Sequence, residues 1–338
     1  MTIKDIAQKS GYAVGTVSRV LNGQRDVSEQ ARATIMAVVK ETGFTPNDNA
    51  RHLKQRGGRD VAILVKGTGN MLFAGILEEM QARIKAKGGA AVVYYLDEDD
   101  DEVEQAIRVC RELKPLGILF LGGNQENFQL KFDRIDTPSV LVTTRADGMG
   151  FPNLSSVSTD DTEGAARAVG LLLEQGHENI GVIGGRIGGG NTSETRLEGC
   201  KFCFARHGKL FDEERRFVAT RFSMEGGYEG AMALLERSPD LTAIFAMADV
   251  QALGAIRALR DKGLRVPEDV SVVGYDGIEL GEYSVPRLTT IRQHSVQLAR
   301  RSVEILLKQT AAEGGATHEI VPFELVPGES AAPYIIRR

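Results

Sequence analysis

The sequence predicts a two-part protein, a small all-α headpiece followed by a much larger α/β body of doubly wound parallel-sheet lobes. Three observations carry this expectation. The first 43 residues show apolar positions at helical spacing, and from residue 61 short apolar runs alternate with longer amphipathic stretches. Charge is divided as well: residues 1–60 carry 10 Lys/Arg and 6 Asp/Glu, whereas residues 61–338 carry 31 and 40. A basic headpiece attracts phosphate while an acidic body stays away from it.

The headpiece elements follow in order. Thr2 with Asp5 has capping-box spacing, so a first helix starts at Ile3 and buries Ile3, Ile6 and Ala7. Gly11 supplies a turn. A second helix runs from about Val14 to Asn22, where Val14, Val17, Val20 and Leu21 fall on one arc while Gly15, Arg19 and Asn22 point the other way. Two short helices across a tight turn, the second with a polar outer face, fit a helix-turn-helix unit whose second helix enters the major groove of DNA. Arg19 is the natural base reader there, because a guanidinium bonds guanine O6 and N7 together. Ser28 caps a third helix, Ile35, Val38 and Val39 complete a small core, and Gly43 ends it.

The body reads as strands VAILV (61–65), AVVYYL (91–96), GILFL (117–121), SVLVTT (139–144), IGVIGG (180–185), AIFAMA (243–248) and VSVVGYD (270–276), with helical stretches between them. About 280 residues exceed one compact doubly wound sheet, so two similar lobes are expected. No secretion-type leader and no long apolar run is evident, which points to a cytoplasmic, non-membrane protein. Cys110, Cys200 and Cys203 are odd in number, and CKFC lies in a helical stretch with no second ligand pair, so neither a disulfide framework nor a metal site is expected. No phosphate loop, HExxH or GxSxG is present; the reading is a non-enzyme without cofactor, and the acidic run DEDDD (97–101) is read as a solvated loop and helix start.

The string TIKDIAQKSGYAVGTVSRVLNG closely resembles the headpiece of the LacI-type bacterial transcriptional repressors, and PNDNARHLKQR (46–56) resembles their hinge segment. The resemblance continues through DDTEGAARAVGLLLEQGHENIGVIGG, RLEG and ADVQALGAIRALRDKGLRVPEDVSVVGYDGIELGEYSVPRLTTIRQ. It implies a headpiece at 1–46, a hinge helix and linker at 47–60, and a type I periplasmic-binding-protein-like core at 61–338. Within that core one lobe covers about 61–160 and 292–321, the other about 161–291 and 322–338. It further implies DNA contacts by Thr2, Val14, Gly15, Thr16, Arg19, Asn22 and Arg25 of the headpiece and by Asn47, Ala50, Arg51, Leu53 and Lys54 of the hinge. Leu53 would be a minor-groove wedge. Ala13 and Gly15 depart from the usual family residues, so base readout shifts toward Arg19, Thr16 and the hinge.

For the core, the resemblance implies effector contacts by Asp160, Arg196 and Asp276, the last directly after a strand whose carboxyl end faces the ligand cleft. Phe73 is expected to stack on an apolar sugar face. Ala248 stands where the family often has Asn, and Asp249 is expected to cap the helix VQALGAIRAL. The implied function is a homodimeric regulator of transcription, a repressor, holding a near-palindromic operator under control of a sugar-like small molecule. The helix bearing Ile76, Leu77, Met80 and Ile84 is a candidate dimer surface, with intramolecular core an equal alternative for its Met and Leu. No leucine-heptad tail follows Tyr334, which favours a dimer over a tetramer. A transporter's solute-binding protein is the alternative that the body alone allows; the headpiece opposes it.

Overall fold

A computed structural model describes residues 3–21, 27–42 and 60–335 of the protein. The chain separates into two compact units, Met1–Gly57 and Gly58–Arg338. In the first, α1 (Ile3–Ser10), α2 (Val14–Leu21) and α3 (Glu29–Thr42) surround Ile6, Ala7, Val17, Val20 and Ile35, all buried. Val27, Val38 and Val39 close the rim of that core. Gly11 turns the chain with φ +73°, a conformation that costs glycine little. The Ala31 amide donates to Ser28 Oγ at 3.4 Å, so Ser28 caps α3 as its residue type suggests. The proposed capping residue Thr2 lies outside the described residues, as do the side chains of Ile3, Val14 and Leu21.

The second unit holds two six-stranded sheets. In chain order its first strands are β1 (Asp60–Lys66), β2 (Ala90–Leu96), β3 (Gly117–Leu121), β4 (Ser139–Val142) and β5 (Leu154–Thr159). These are followed by β6 (Ile180–Gly184), β7 (Phe217–Ala219), β8 (Ala243–Ala246), β9 (Ser271–Asp276) and β10 (Thr289–Gln293), with β11 (His318–Val321) and β12 (Phe323–Val326) last. One sheet has the order β11-β5-β4-β3-β1-β2 and is parallel throughout. The other has the order β12-β10-β9-β8-β6-β7 and is parallel except for its antiparallel edge strand β12. Central strands such as β1 and β3 are buried end to end or nearly so, which is why they read as unbroken apolar runs.

Helices α4 (Leu72–Ala86), α5 (Glu102–Glu112) and α6 (Gln125–Lys131) connect strands of the first sheet. Helices α7 (Asp161–Glu174), α8 (Thr192–Arg206), α9 (Glu213–Arg216), α10 (Met224–Arg237), α11 (Asp249–Asp261) and α12 (Glu279–Tyr283) serve the second. The chain passes from lobe to lobe after β5, after β10 and between β11 and β12, and α13 (Ser295–Thr310) returns to pack on β3, β4 and β5.

Of the two readings of Ile76, Leu77, Met80 and Ile84, dimer surface or intramolecular core, the structure bears out the second. All four are buried beneath α4 with Val61, Ile63, Leu298 and Val303. Ala248, Val250 and Ile278 of the second lobe join the same cluster, so an apolar seam links the lobes. Cys200 and Cys203 lie buried on the inner face of α8, both unbridged, and burial pushes both thiols up in pKa. Among the described residues, no helix is long and apolar enough to cross a membrane, and no cluster of His, Cys, Asp and Glu could hold a metal ion.

Candidate functional site

A cavity of about 380 Å³ lies where the two sheets present the carboxyl ends of their strands. From the first lobe, β1 delivers Lys66, the segment after β2 delivers Glu98 and Asp99, β3 leads to Asn124, and β4 to Thr143. The second lobe contributes Arg186 after β6, Thr220, Arg221 and Phe222 after β7, and Asp276 and Gln293 at the ends of β9 and β10. Phe73, Asn70, Ser193 and Arg196 also line it. Two lining residues hold backbone conformations that only glycine adopts freely, Thr143 at φ +71° and Asp276 at φ +120°. Such strain persists only where the surrounding fold enforces it, and it concentrates at ligand sites.

The floor of the cavity is a buried ionic cluster. Arg196 Nε donates to Asp161 Oδ1 at 2.8 Å, its Nη1 donates to the Met247 carbonyl, and its Nη2 stands 3.9 Å from Asp276 Oδ1. The guanidinium carbon lies 3.7 Å from the Tyr275 ring centroid. Burial opposes the charge on Arg196, yet Asp161, Tyr275 and Asp276 around it outweigh that and raise its pKa. Asp276 Oδ1 accepts from Gln293 Nε2 at 2.8 Å, while Oδ2 is buried with no hydrogen-bond partner. Burial pushes the Asp276 carboxyl up to about 6, with Arg196, Gln293 and the nearby Asn70 pulling the other way. Gln293 Oε1 in turn accepts from Thr159 at 2.9 Å, which ties the tip of β10 to the end of β5 in the other lobe.

Local sequence explains how these groups are held. Asn191 caps α8 through the Glu194 amide at 3.0 Å and bonds the Arg186 carbonyl at 2.7 Å, so the loop GGRIGGGN is clipped to the helix that carries Arg196. Glu102, fully buried at the start of α5, accepts from Lys66 Nζ at 2.6 Å, the Asn124 amide at 2.6 Å and Asn127 Nδ2 at 3.0 Å. That carboxylate neutralises the lysine at the end of β1 and sets the rim residue Asn124.

Of the sequence-derived candidates, Phe73, Arg196 and Asp276 all line the cavity. Asp160 does not. Its carboxylate accepts the Glu163 amide at 3.0 Å as the cap of α7, and the neighbouring Asp161 is the residue that meets Arg196. Asp249 is the first residue of α11 and supplies no side-chain cap; its carboxylate takes the Thr290 hydroxyl at 2.5 Å and the Ile278 amide at 2.8 Å. His177 is structural, bonding the Ala332 carbonyl at 3.0 Å beside Tyr334. Sequence reasoning missed Asn70, Thr143, Ser193, Phe222 and Gln293, which no motif marks; the rule that ligands sit beyond strand ends would have found Thr143 and Gln293 once β4 and β10 were bounded.

In the headpiece, Gly15, Thr16 and Arg19 lie on α2, with Gly15 and Arg19 exposed. Val14 opens that helix. Thr2, Asn22, Arg25, Asn47, Ala50, Arg51, Leu53 and Lys54 lie outside the described residues.

Residues 2–47 match the model of bacterial regulatory proteins of the lacI family, and residues 169–331 match a periplasmic binding protein-like domain. The chain is 34% identical to the HTH-type transcriptional regulator MalR of Clostridium butyricum, over 98% of this chain and 99% of that one. It is 31% identical to the ribose operon repressor of Haemophilus influenzae, over 91% of each. A solved complex of the transcriptional regulator CelR with cellobiose superposes with a TM-score of 0.73 at 28% identity, covering 98% of this chain and 100% of that one. Both curated relatives are named as regulators or repressors of transcription, and a helical headpiece before a two-lobed core agrees with that role. The chain belongs to the lacI family of bacterial regulatory proteins.

Proposed function

We propose that the protein is a cytoplasmic repressor that binds a near-palindromic operator as a homodimer, under control of an uncharged sugar held in the cavity. One observation carries the choice of ligand. Every cation lining the cavity is already met by a protein carboxylate: Lys66 by Glu102 at 2.6 Å, Arg186 by Asp99 at 2.8 Å, Arg196 by Asp161 at 2.8 Å and Arg221 by Asp97 at 2.6 Å. A phosphate or carboxylate on the ligand would find no uncommitted positive charge. Asp276 Oδ2, by contrast, has no protein hydrogen-bond partner and accepts a hydrogen bond from a ligand hydroxyl, and Phe73 and Phe222 offer apolar side chains to a sugar ring. The relatives named above for ribose and solved with cellobiose support the same class.

In this reading Phe73, Arg196 and Asp276 contact the effector, with Asn70 and Gln293 beside them. Asp160 serves only as a helix cap. DNA contact falls to Gly15, Thr16 and Arg19 of α2, to the flanking Thr2, Val14, Asn22 and Arg25, and to Asn47, Ala50, Arg51, Leu53 and Lys54 of the hinge. A two-fold site suits two copies, because one headpiece of this size discriminates too weakly among genomic sequences. Thermal-shift measurements with cellobiose, ribose and their phosphorylated counterparts test the ligand class. Stabilisation by a neutral saccharide, carried through to a change in gel shift on a selected duplex, is the expected outcome; stabilisation by the phosphorylated sugars alone would overturn it.

A further inference from the structure

The acidic run after β2 has partners that its sequence neighbourhood does not suggest. Asp97 accepts from Arg221 Nη2 through both carboxylate oxygens at 2.6 Å, although 124 positions separate the two residues. Arg221 also stands 3.9 Å from Glu98 and 3.6 Å from Asp99, and Arg186 Nη1 donates to Asp99 at 2.8 Å. Glu98 Oε1 accepts the backbone amide of Phe222 at 3.2 Å. The carboxylates belong to one lobe and both arginines to the other, and Glu98, Asp99, Arg186 and Arg221 all line the cavity.

The acidic segment is stiff. The Asp97 amide donates to Asp100 at 2.9 Å, the Asp99 amide donates to Asp97 at 3.1 Å, and Asp101 caps α5 while pairing with Lys131. A rigid tooth of three carboxylates thus enters a two-arginine notch. We propose that Asp97, Glu98 and Asp99 form with Arg186 and Arg221 an ionic latch across the mouth of the cavity, which holds the two lobes closed and turns anionic ligands away. Both arginines are exposed, at 79% for the Arg186 side chain and 52% for that of Arg221, so the latch is screened by salt where the apolar seam at Val250 and Ile278 is not. A neutral ligand has no ionic strength dependence of its own. Its affinity acquires one only if closing the latch is part of binding.

Hydrogen exchange on the ligand-free full-length protein tests the latch directly. The Phe222 amide reports the Glu98 contact, and the Glu126 amide, shared between the Gly189 carbonyl across the cleft and Asn124 Oδ1 of its own lobe, both at 3.0 Å, reports closure through loss of the first of these two uncharged acceptors. Exchange at both is expected to rise roughly threefold to tenfold in Arg221→Glu and at about 1 M salt. The double variant Arg221→Glu/Asp97→Arg is expected to return both toward the wild-type rate, a recovery that a misfolded variant would not show. Unchanged exchange in Arg221→Glu, or no recovery in the charge-swapped pair, overturns the latch. The second arm, titration of cellobiose and ribose at low and high salt, rests on the cavity being the effector site. If neither sugar binds, the site reading fails while the exchange result stands; if one binds with salt-independent affinity, the latch has no part in binding.

Discussion

Arg196 stacks 3.7 Å from the centroid of the Tyr275 ring while its Nε bonds Asp161, so a single buried cation serves an aromatic face and two carboxylates. Removing the cation leaves Asp161 and Asp276 buried without their counter-charge. Breaking a buried pair from one side costs about 3–5 kcal/mol, far more than an exposed pair is worth. Arg196→Met is therefore expected to lower the unfolding free energy of the core by about that amount in urea titrations. Arg196→Met/Asp161→Asn should recover part of the loss, because it removes one orphaned charge. Equal stability of the single variant and the wild type would show that the cluster contributes nothing.

Gly164 lies on α7 with no lining role, yet a Cβ there would stand 2.4 Å from Tyr275 Oη and 3.0 Å from the ring. Intrinsic helix propensity favours alanine over glycine by about 1 kcal/mol. Overpacking against a fully buried ring costs about 1–3 kcal/mol and should win. Gly164→Ala is expected to destabilise the core and to weaken saccharide binding by displacing the ring beneath Arg196. A rise in melting temperature would mean that the ring moves at no cost.

Much of this architecture was legible in the chain because central parallel strands announce themselves: VAILV and GILFL are apolar on both faces and became β1 and β3. β5, LSSVST, was hidden by its serines. It is buried throughout, and Ser156 Oγ pairs with His318 at 2.9 Å on neighbouring β11, a contact that no local pattern displays. The Asp160 and Asp161 pair shows a second limit. Both are carboxylates beside a lobe crossing, and only the start of α7 decides that the first caps a helix while the second turns inward to Arg196. The run DEDDD is the solvated loop and helix start that it was read as, but its pairing with arginines more than eighty residues away in sequence was not legible.

Arg19 is exposed in the last turn of α2, where its Nε reaches back to the Gly15 carbonyl at 3.4 Å. A bidentate guanidinium–guanine contact is worth about 1–3 kcal/mol of discrimination. Arg19→Ala is expected to weaken binding to the selected operator by that amount at fixed salt, with a much smaller change on a scrambled duplex. Equal losses on both duplexes would reduce Arg19 to a phosphate contact.

The Asp276 carboxyl makes ligand binding depend on acidity, and the sign follows from what the sugar needs. Burial first of all raises this group to about 6 in the ligand-free protein. A hydroxyl donating to Oδ2 bonds the carboxylate more strongly than the neutral acid, so binding favours the ionised form and pulls the group back down. Affinity should then hold steady above about pH 7 and fall as pH drops through about 6, approaching tenfold per unit. Stability of the ligand-free core runs the other way. Its folded carboxyl binds a proton more tightly than the unfolded chain does, so this contribution is present in acid and is lost as pH rises through about 6. Isothermal titration of whichever neutral saccharide stabilises the protein, across that range, reads the first effect, and urea unfolding of the ligand-free protein reads the second. Asp276→Asn should bind more weakly at neutral pH and show little pH dependence. If wild-type affinity is flat from about pH 8 to about pH 5, the orphaned oxygen of Asp276 is not the hydroxyl acceptor.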